Sequence, residues 1–193
     1  MSVEFYDINH EEFIQSTVDV DMRLLYEKFC TFLPAKAKIL DAGCGSGRDA
    51  LYFKQNGFQV VAIDASAKMV QATQRLSGVD CRQMSFEHLA FEKEFNAVWA
   101  CASLLHVARD RLASVLCNFA NVLLQDGLMY ASFKHGNQER QVGLRYFNDM
   151  NAYSLEKTVS VVSNLKIEKI WLTDDARPNR SEEKWLNAIL KKV

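Results

Sequence analysis

The chain has 193 residues, 49% of them hydrophobic and 24% charged, and 23 basic against 24 acidic side chains give a net charge of −1. That length suits one domain with a proper core, and the charge balance weighs against nucleic acid or an anionic membrane surface as a partner without excluding a local basic patch. Cys30, Cys44, Cys81, Cys101 and Cys117 are scattered, odd in number and free of any C-x-x-C pair, a usage of reduced thiols rather than a disulfide framework or a metal site, so no metal is expected. The N-terminus shows no signal-peptide pattern and no apolar run of about 18 residues occurs, so a cytoplasmic location without membrane contact is expected.

In chain order, apolar residues Met22, Leu24, Leu25, Phe29 and Phe32 recur mostly every three or four positions, which predicts an amphipathic helix ended before Pro34. Residues 37–42 predict a short apolar strand, and a glycine turn leads into a helix from about Arg48 to Gln55, stopped by Asn56-Gly57. Phe58 to Asp64 reads as a second strand, followed by a helix N-capped by Ser66 and running to about Leu76. Asp80 to Met84 predicts a third strand and Phe95 to Ala100 a fourth. A helix from about Asp110 to Leu124 and a turn at Asp126-Gly127 lead to a fifth strand, Leu128 to Phe133. A helix near Ser154 to Leu165, then strands at Lys166–Leu172 and Lys184–Lys191, complete the pattern. Five strands alternating with helices call for a parallel sheet covered on both faces. The last two strands, without a helical crossover, predict an antiparallel pair at one edge.

The stretch Asp41-Ala42-Gly43-Cys44-Gly45-Ser46-Gly47-Arg48 organises the rest. A strand, a tight glycine turn and a helix start make a site where backbone N–H groups can meet a ligand. The strict alternation of glycines is not the dinucleotide fingerprint G-x-G-x-x-G, which would need glycine where Arg48 stands. Asp64 ends the second strand, where an acid over the crevice can accept both hydroxyls of a ribose. Asp41 would brace the turn or reach an ammonium group of the ligand.

Together, Ile39 to Arg48 and Val60-Val61-Ala62-Ile63-Asp64 resemble the first motif and its successor in class I S-adenosylmethionine-dependent methyltransferases. The Gly47-Arg48-Asp49 after the turn looks most like the small tellurite-resistance-type group. The resemblance implies a Rossmann-like three-layer α/β sandwich with a seven-stranded, mostly parallel sheet and an antiparallel last strand. It covers residues 37–193 as the methyltransferase domain, with residues 1–36 as an N-terminal helical lid packed on it. The implied cofactor is S-adenosyl-L-methionine, leaving S-adenosyl-L-homocysteine as product. Its expected contacts are Asp41, Ala42, Gly43, Gly45, Gly47, Arg48, Asp64, Ala65, Met69, Met84, Ser85, Phe86 and Ala100. Arg48 would pair the methionyl carboxylate, with Arg23 as a rival. The third strand lacks the family's usual terminal acid for the adenine amino group; Gln83-Met84-Ser85-Phe86-Glu87 stands there instead.

On the acceptor side, the loop Ala100 to Val107 lacks the Asn-Pro-Pro-Tyr type of sequence used for amino groups of bases and amides. His106 is its one titratable side chain, and Cys101 reads as a small core residue. Lys134 and His135 end the fifth strand on the same side, and Arg145-Tyr146-Phe147, Arg177 and Arg180 lie in connections that would cap the pocket, as would Tyr6. His106, Lys134 and Tyr146 are the catalytic candidates. The expected reaction is in-line methyl transfer to a small-molecule acceptor. A tRNA or rRNA methyltransferase and a non-catalytic cofactor-binding module are the alternatives, and the chain would be a monomer or a homodimer.

Overall fold

The structure, a computed structural model, describes residues 2–177, 180 and 182–193. Its sheet has seven strands: β1 (Lys38–Ala42), β2 (Gln59–Asp64), β3 (Asp80–Gln83), β4 (Phe95–Ala100), β5 (Leu123–Lys134), β8 (Leu165–Asp174) and β9 (Lys184–Lys192). They lie in the order β3-β2-β1-β4-β5-β9-β8. β1 to β5 pair in parallel, and β9 runs antiparallel to both β5 and β8. The sandwich expected from the sequence is therefore present. β9 is not an exposed edge, however: β8 covers it, so the free edges of the sheet are β3 and β8.

Each strand of the parallel half is followed by what its sequence demands. α4 (Arg48–Gln55) follows the glycine turn, and α5 (Ala67–Ser77) starts at Ser66, whose hydroxyl accepts the Met69 N–H at 3.2 Å. α6 (Arg109–Val122) packs Leu112, Val115, Leu116 and Phe119 against the face of the sheet that carries Leu40, Val98 and Met129. On the opposite face, Phe29 of α3 (Arg23–Cys30) and Phe53 of α4 meet Trp99 and Tyr130, whose rings stack at 3.9 Å. Burying these aromatics contributes on the order of 2–3 kcal/mol each, which fixes the strand ends that carry the polar residues.

Three features differ from the sequence reading. Within the N-terminal segment, expected as a helical lid without separate elements before Val20, lie two short helices, α1 (Ser2–Ile8) and α2 (His10–Thr17), neither with a fully buried residue. A hairpin of β6 (Glu139–Val142) and β7 (Arg145–Asn148) lies where no element was expected. α7 spans Ala152–Val159, earlier than the expected Ser154 to Leu165, because Asn151 and Ser154 form a capping box at its start. Among the described residues no helix is long and apolar enough to cross a membrane.

Candidate functional site

The strand order reverses between β1 and β4, whose neighbours lie on opposite sides, and the crevice outside the carboxyl ends at such a point is where open α/β sheets place ligands. A cavity of about 880 Å³ opens there. Its floor is the turn Gly43–Ser46 with Asp64 and Ala65, one wall is Ser85, Phe86 and Glu87, and another is the 101–108 loop. α1 and α2 supply Ser2, Val3, Tyr6, Phe13 and Thr17, and the β6–β7 hairpin supplies Arg140, Val142, Arg145, Tyr146 and Phe147.

The turn is bonded internally. The Gly43 and Cys44 N–H groups donate to the Ile63 carbonyl at 2.8 and 3.0 Å, and Gly47 N–H donates to the Cys44 carbonyl at 2.9 Å. Gly45 N–H donates to Asp64 Oδ2 at 3.1 Å, while Ser66 N–H donates to Oδ1 at 2.9 Å. With these four N–H groups engaged, the turn is no phosphate cradle; it offers a close, side-chain-free surface backed by acids. Burial raises Asp64 to about 6, against the pull of its backbone N–H partners. Asp41 lies behind the turn, fully buried, with Oδ2 lacking any hydrogen-bond partner. Burial and then the nearby Asp49 carboxylate push its pKa well up.

Asp49 ties the site together. It accepts from Arg48 Nε at 2.6 Å, Tyr26 Oη at 2.5 Å and Trp99 Nε1 at 2.8 Å, joining α4, α3 and β4. Burial works against its charge, but Arg48 and the two neutral donors hold it below the usual carboxylate range. The Arg48 Nη1 donates to the Thr17 carbonyl at 3.1 Å, so the same guanidinium reaches α2.

At the other end of the cavity, both ring nitrogens of His106 are engaged. Nδ1–H donates to the Tyr146 carbonyl at 2.7 Å, which leaves Nε2 to accept the Tyr6 hydroxyl at 2.7 Å. A carbonyl can only accept, so this pair of bonds fixes the neutral tautomer. Burial lowers His106 to about 4, with the Arg145 charge adding to the effect, and burial raises Tyr6 to about 12.

Residues 39–127 match the family described as "Methyltransferase domain". This stretch, just under half of the chain, is similar to methyltransferase domains, and the seven-stranded sheet has their Rossmann-like fold. An "Uncharacterized methyltransferase" of Staphylococcus carnosus is 22% identical over 138 residues, 70% of this chain and 67% of that protein. A "Ubiquinone biosynthesis O-methyltransferase" of Xanthomonas axonopodis pv. citri is 34% identical over 106 residues, 51% of this chain but only 44% of that one. The 1,6-didemethyltoxoflavin-N1-methyltransferase of Burkholderia thailandensis, solved with its substrate and S-adenosylhomocysteine, superposes with a TM-score of 0.82 at 20% identity. The match covers 100% of this chain and 87% of that one.

In this domain the cavity wall includes Gly43, Gly45, Arg48, Asp64, Ala65, Met69, Ser85, Phe86, His106, Lys134 and Tyr146. Asp41, Ala42, Gly47, Met84 and Ala100 are not on it. Ala42 turns its carbonyl to the Ser103 hydroxyl at 2.7 Å, and Ala100 is sealed in the core. Met84 packs against the core and its sulfur accepts the Ala90 N–H at 3.5 Å. Gly47 faces α5: a Cβ there would come within 2.8 Å of Thr73 Cα. Arg23 is exposed, paired with Asp21 at 2.7 Å, and away from the cavity, so it is no rival to Arg48. Lys134 is ion-paired with Glu183, and the Tyr146 hydroxyl donates to Glu139. His135 is exposed and off the cavity. Asp49 and the role of Tyr26 were not anticipated. An acid one residue into a helix reads as an ordinary first-turn charge, and only the adjacent buried arginine could have signalled more.

Proposed function

We propose that the protein is an S-adenosylmethionine-dependent methyltransferase that moves a methyl group by in-line displacement to a small-molecule acceptor. The observation that carries this reading is the turn whose Gly43, Cys44, Gly45 and Gly47 N–H groups are already bonded and whose backing is acidic. Such a floor disfavours a pyrophosphate and suits a ligand with positive charge, as the orphaned Asp41 Oδ2 also does. S-adenosylmethionine is its cofactor and supplies an activated methyl group on a sulfonium.

In this reading Gly43, Cys44, Gly45 and Ser46 let the methionyl part lie against the backbone. Asp64 still has lone pairs to accept ribose hydroxyls, and Met69, Ser85 and Phe86 flank the adenine. Asp41, Ala42, Gly47 and Ala100 act from behind, shaping the strand ends and the turn. Residues 1–36 cover the site as a helical lid, and residues 37–193 form the methyltransferase domain. Methyl transfer from a sulfonium needs alignment and exclusion of water more than a strong base. His106, held neutral, therefore acts by positioning Tyr6 over the cavity, and Lys134 and Tyr146 border the acceptor. The near-neutral charge and the enclosed cavity favour a small molecule over RNA. The grouping with the small tellurite-resistance-type enzymes rests on Gly47-Arg48-Asp49. A cytoplasmic monomer, or a homodimer formed along the free β8 edge, completes the reading.

Calorimetric titration with S-adenosylhomocysteine and with NADH tests the cofactor, and a coupled assay for S-adenosylhomocysteine across an acceptor panel tests the reaction. Tighter binding of NADH would refute the cofactor reading. Binding of S-adenosylmethionine with no turnover of any acceptor would leave a binding module.

A further inference from the structure

The cations around the cavity are almost all neutralised by the protein itself. Arg48 is paired with Asp49 at 2.6 Å, Arg140 with Asp149 at 2.8 Å, Arg177 with Asp175 at 2.5 Å, Lys134 with Glu183, and Arg180 with the same Glu183 at 3.5 Å. Among the described residues Arg145 has no carboxylate partner, and its Nε is buried without a hydrogen bond. Its guanidinium lies 4.3 Å from the Phe5 ring centroid and 5.2 Å from that of Phe147, so aromatic faces hold it. The other unpaired cavity cation, Arg111, sits exposed on the first turn of α6. Arg145 stands close enough to His106 and Tyr6 for its charge to pull against protonation of the first and against the burial that raises the second, and it also hydrogen-bonds the Tyr6 side chain. At the acceptor end of the cavity Arg145 is thus a part-buried positive charge without a carboxylate against it among the described residues.

We infer that the methyl acceptor carries a carboxylate and that Arg145 receives it, an inference that rests on the methyltransferase reading of the same cavity. A guanidinium presents a planar fork that matches a carboxylate with two parallel hydrogen bonds. Leaving such a group part-buried and unpaired is costly, and a ligand oxygen removes that cost. The neighbouring Arg140, Arg177 and Lys134 already face Asp149, Asp175 and Glu183, which leaves Arg145 as the part-buried cation open to a ligand carboxylate. Phe5 and Phe147 flank Arg145, and Tyr6, Tyr146 and Trp185 line the same cavity, so the body attached to the carboxylate is flat and apolar. His106 fits this arrangement, because a neutral imidazole does not compete with Arg145 for the anion.

The test uses the full chain saturated with S-adenosylhomocysteine and titrated with benzoate or with its neutral counterpart benzamide, followed by calorimetry. Benzoate is expected to bind at least 10-fold more tightly than benzamide. Arg145→Met should abolish that preference, and Arg145→Lys should retain part of it, while all three proteins bind S-adenosylhomocysteine within 2-fold of each other. Equal binding of the two probes by the unmodified chain, including no binding of either, overturns the inference. So does a preference that survives Arg145→Met. Failure of the unmodified chain to bind S-adenosylhomocysteine is a separate result and strikes the cofactor reading first.

Discussion

Replacing Asp49 by Asn tests whether the buried ion pair with Arg48 organises the cavity floor. The substitution keeps the shape and one acceptor oxygen, so either Tyr26 Oη or Trp99 Nε1 can remain bonded. It removes the charge that offsets Arg48, whose side chain is only 20% exposed. Breaking a buried pair from one side costs about 3–5 kcal/mol, because the remaining charge stays in the interior. One compensation is built in. Burial and the Asp49 carboxylate push the pKa of Asp41 well up, while the charge of the same Arg48 pulls it down. With Asp49 neutral, Asp41 ionises more readily and takes over part of the pairing, which sets the expectation at about 3 kcal/mol, the lower end. For a chain of this size that lowers the melting temperature by roughly 6–12 °C. Urea unfolding followed by near-ultraviolet circular dichroism, which reports the Trp99 environment, gives the free energy directly. Removing both charges in Arg48→Met/Asp49→Asn should cost less than the sum of the single variants by about 2 kcal/mol. Single variants that each cost under about 1 kcal/mol, or strict additivity in the double, would refute the reasoning.

Gly47→Ala should destabilise more than Gly57→Ala although both glycines have φ +84°, because only at Gly47 does a Cβ meet backbone, Thr73 Cα at 2.8 Å. Equal losses of about 1–2 kcal/mol, the cost of the left-handed conformation alone, in urea titrations would rule out the packing argument. His106 is lowered to about 4 by burial, so the unfolded chain binds its proton first. Stability should therefore fall by up to about 3 kcal/mol as pH drops from 6.5 to 4, a loss that His106→Gln removes. Asp64, raised to about 6, acts with the opposite sign: the folded state takes up its proton first, and stability is gained as pH falls from 6 to 3.8. Stability measured across this range should accordingly rise on acidification in His106→Gln relative to the unmodified chain, and fall in Asp64→Asn. Lys192 Nζ donates to the Ala120 and Leu123 carbonyls at 2.5 and 2.7 Å, inside the end of α6. Lys192→Met should cost about 2–4 kcal/mol, readable as a lowered urea midpoint with an unchanged slope.

The cofactor half was legible in the sequence because its information is local. Asp41 to Arg48 is one strand–turn–helix, and Asp64 closes the next strand, so spacing alone places them at the same sheet end. The parallel half of the sheet followed from period and the stop at Asn56-Gly57, while the expected turn at Asp126-Gly127 lies inside β5, as an irregularity where Asp126 takes φ +60°. The acceptor half was not legible, because its geometry comes from pairs far apart in the chain. Tyr6 reaches His106 across 100 residues and Ser2 reaches Tyr146 across 144. Nothing in the run Glu139 to Asn148 announces a hairpin: its strands are short, carry arginines and lack an alternating apolar face. Among the expected cofactor contacts, Asp41, Ala42, Gly47, Met84 and Ala100 do not line the cavity. Asp41, Ala42 and Ala100 are buried at strand ends, Met84 packs on the core, and Gly47 is turned toward Thr73.

The same long-range contacts bear on how a ligand would enter. As a proposed lid, α1 and α2 bury no residue fully and are held by polar bonds. Asp7 accepts the Ser66 hydroxyl at 2.5 Å on the cofactor side, and Tyr6–His106 at 2.7 Å and Ser2–Tyr146 at 3.1 Å hold the acceptor side. Arg48 Nη1 adds a fourth bond, to the Thr17 carbonyl at 3.1 Å. A cover sealed by apolar burial would be far slower to release product, since it would have to expose that surface to water each time. Because the clasps reach both ends of the cavity, the cover closes fully only when the turn, Ser66, His106 and the hairpin are all in register. In the neutral form Nε2 accepts the Tyr6 hydroxyl, whereas a protonated ring would reverse that bond, with Nε2–H donating to Tyr6 Oη. The depressed His106 pKa therefore keeps the accepting form in place throughout the neutral range.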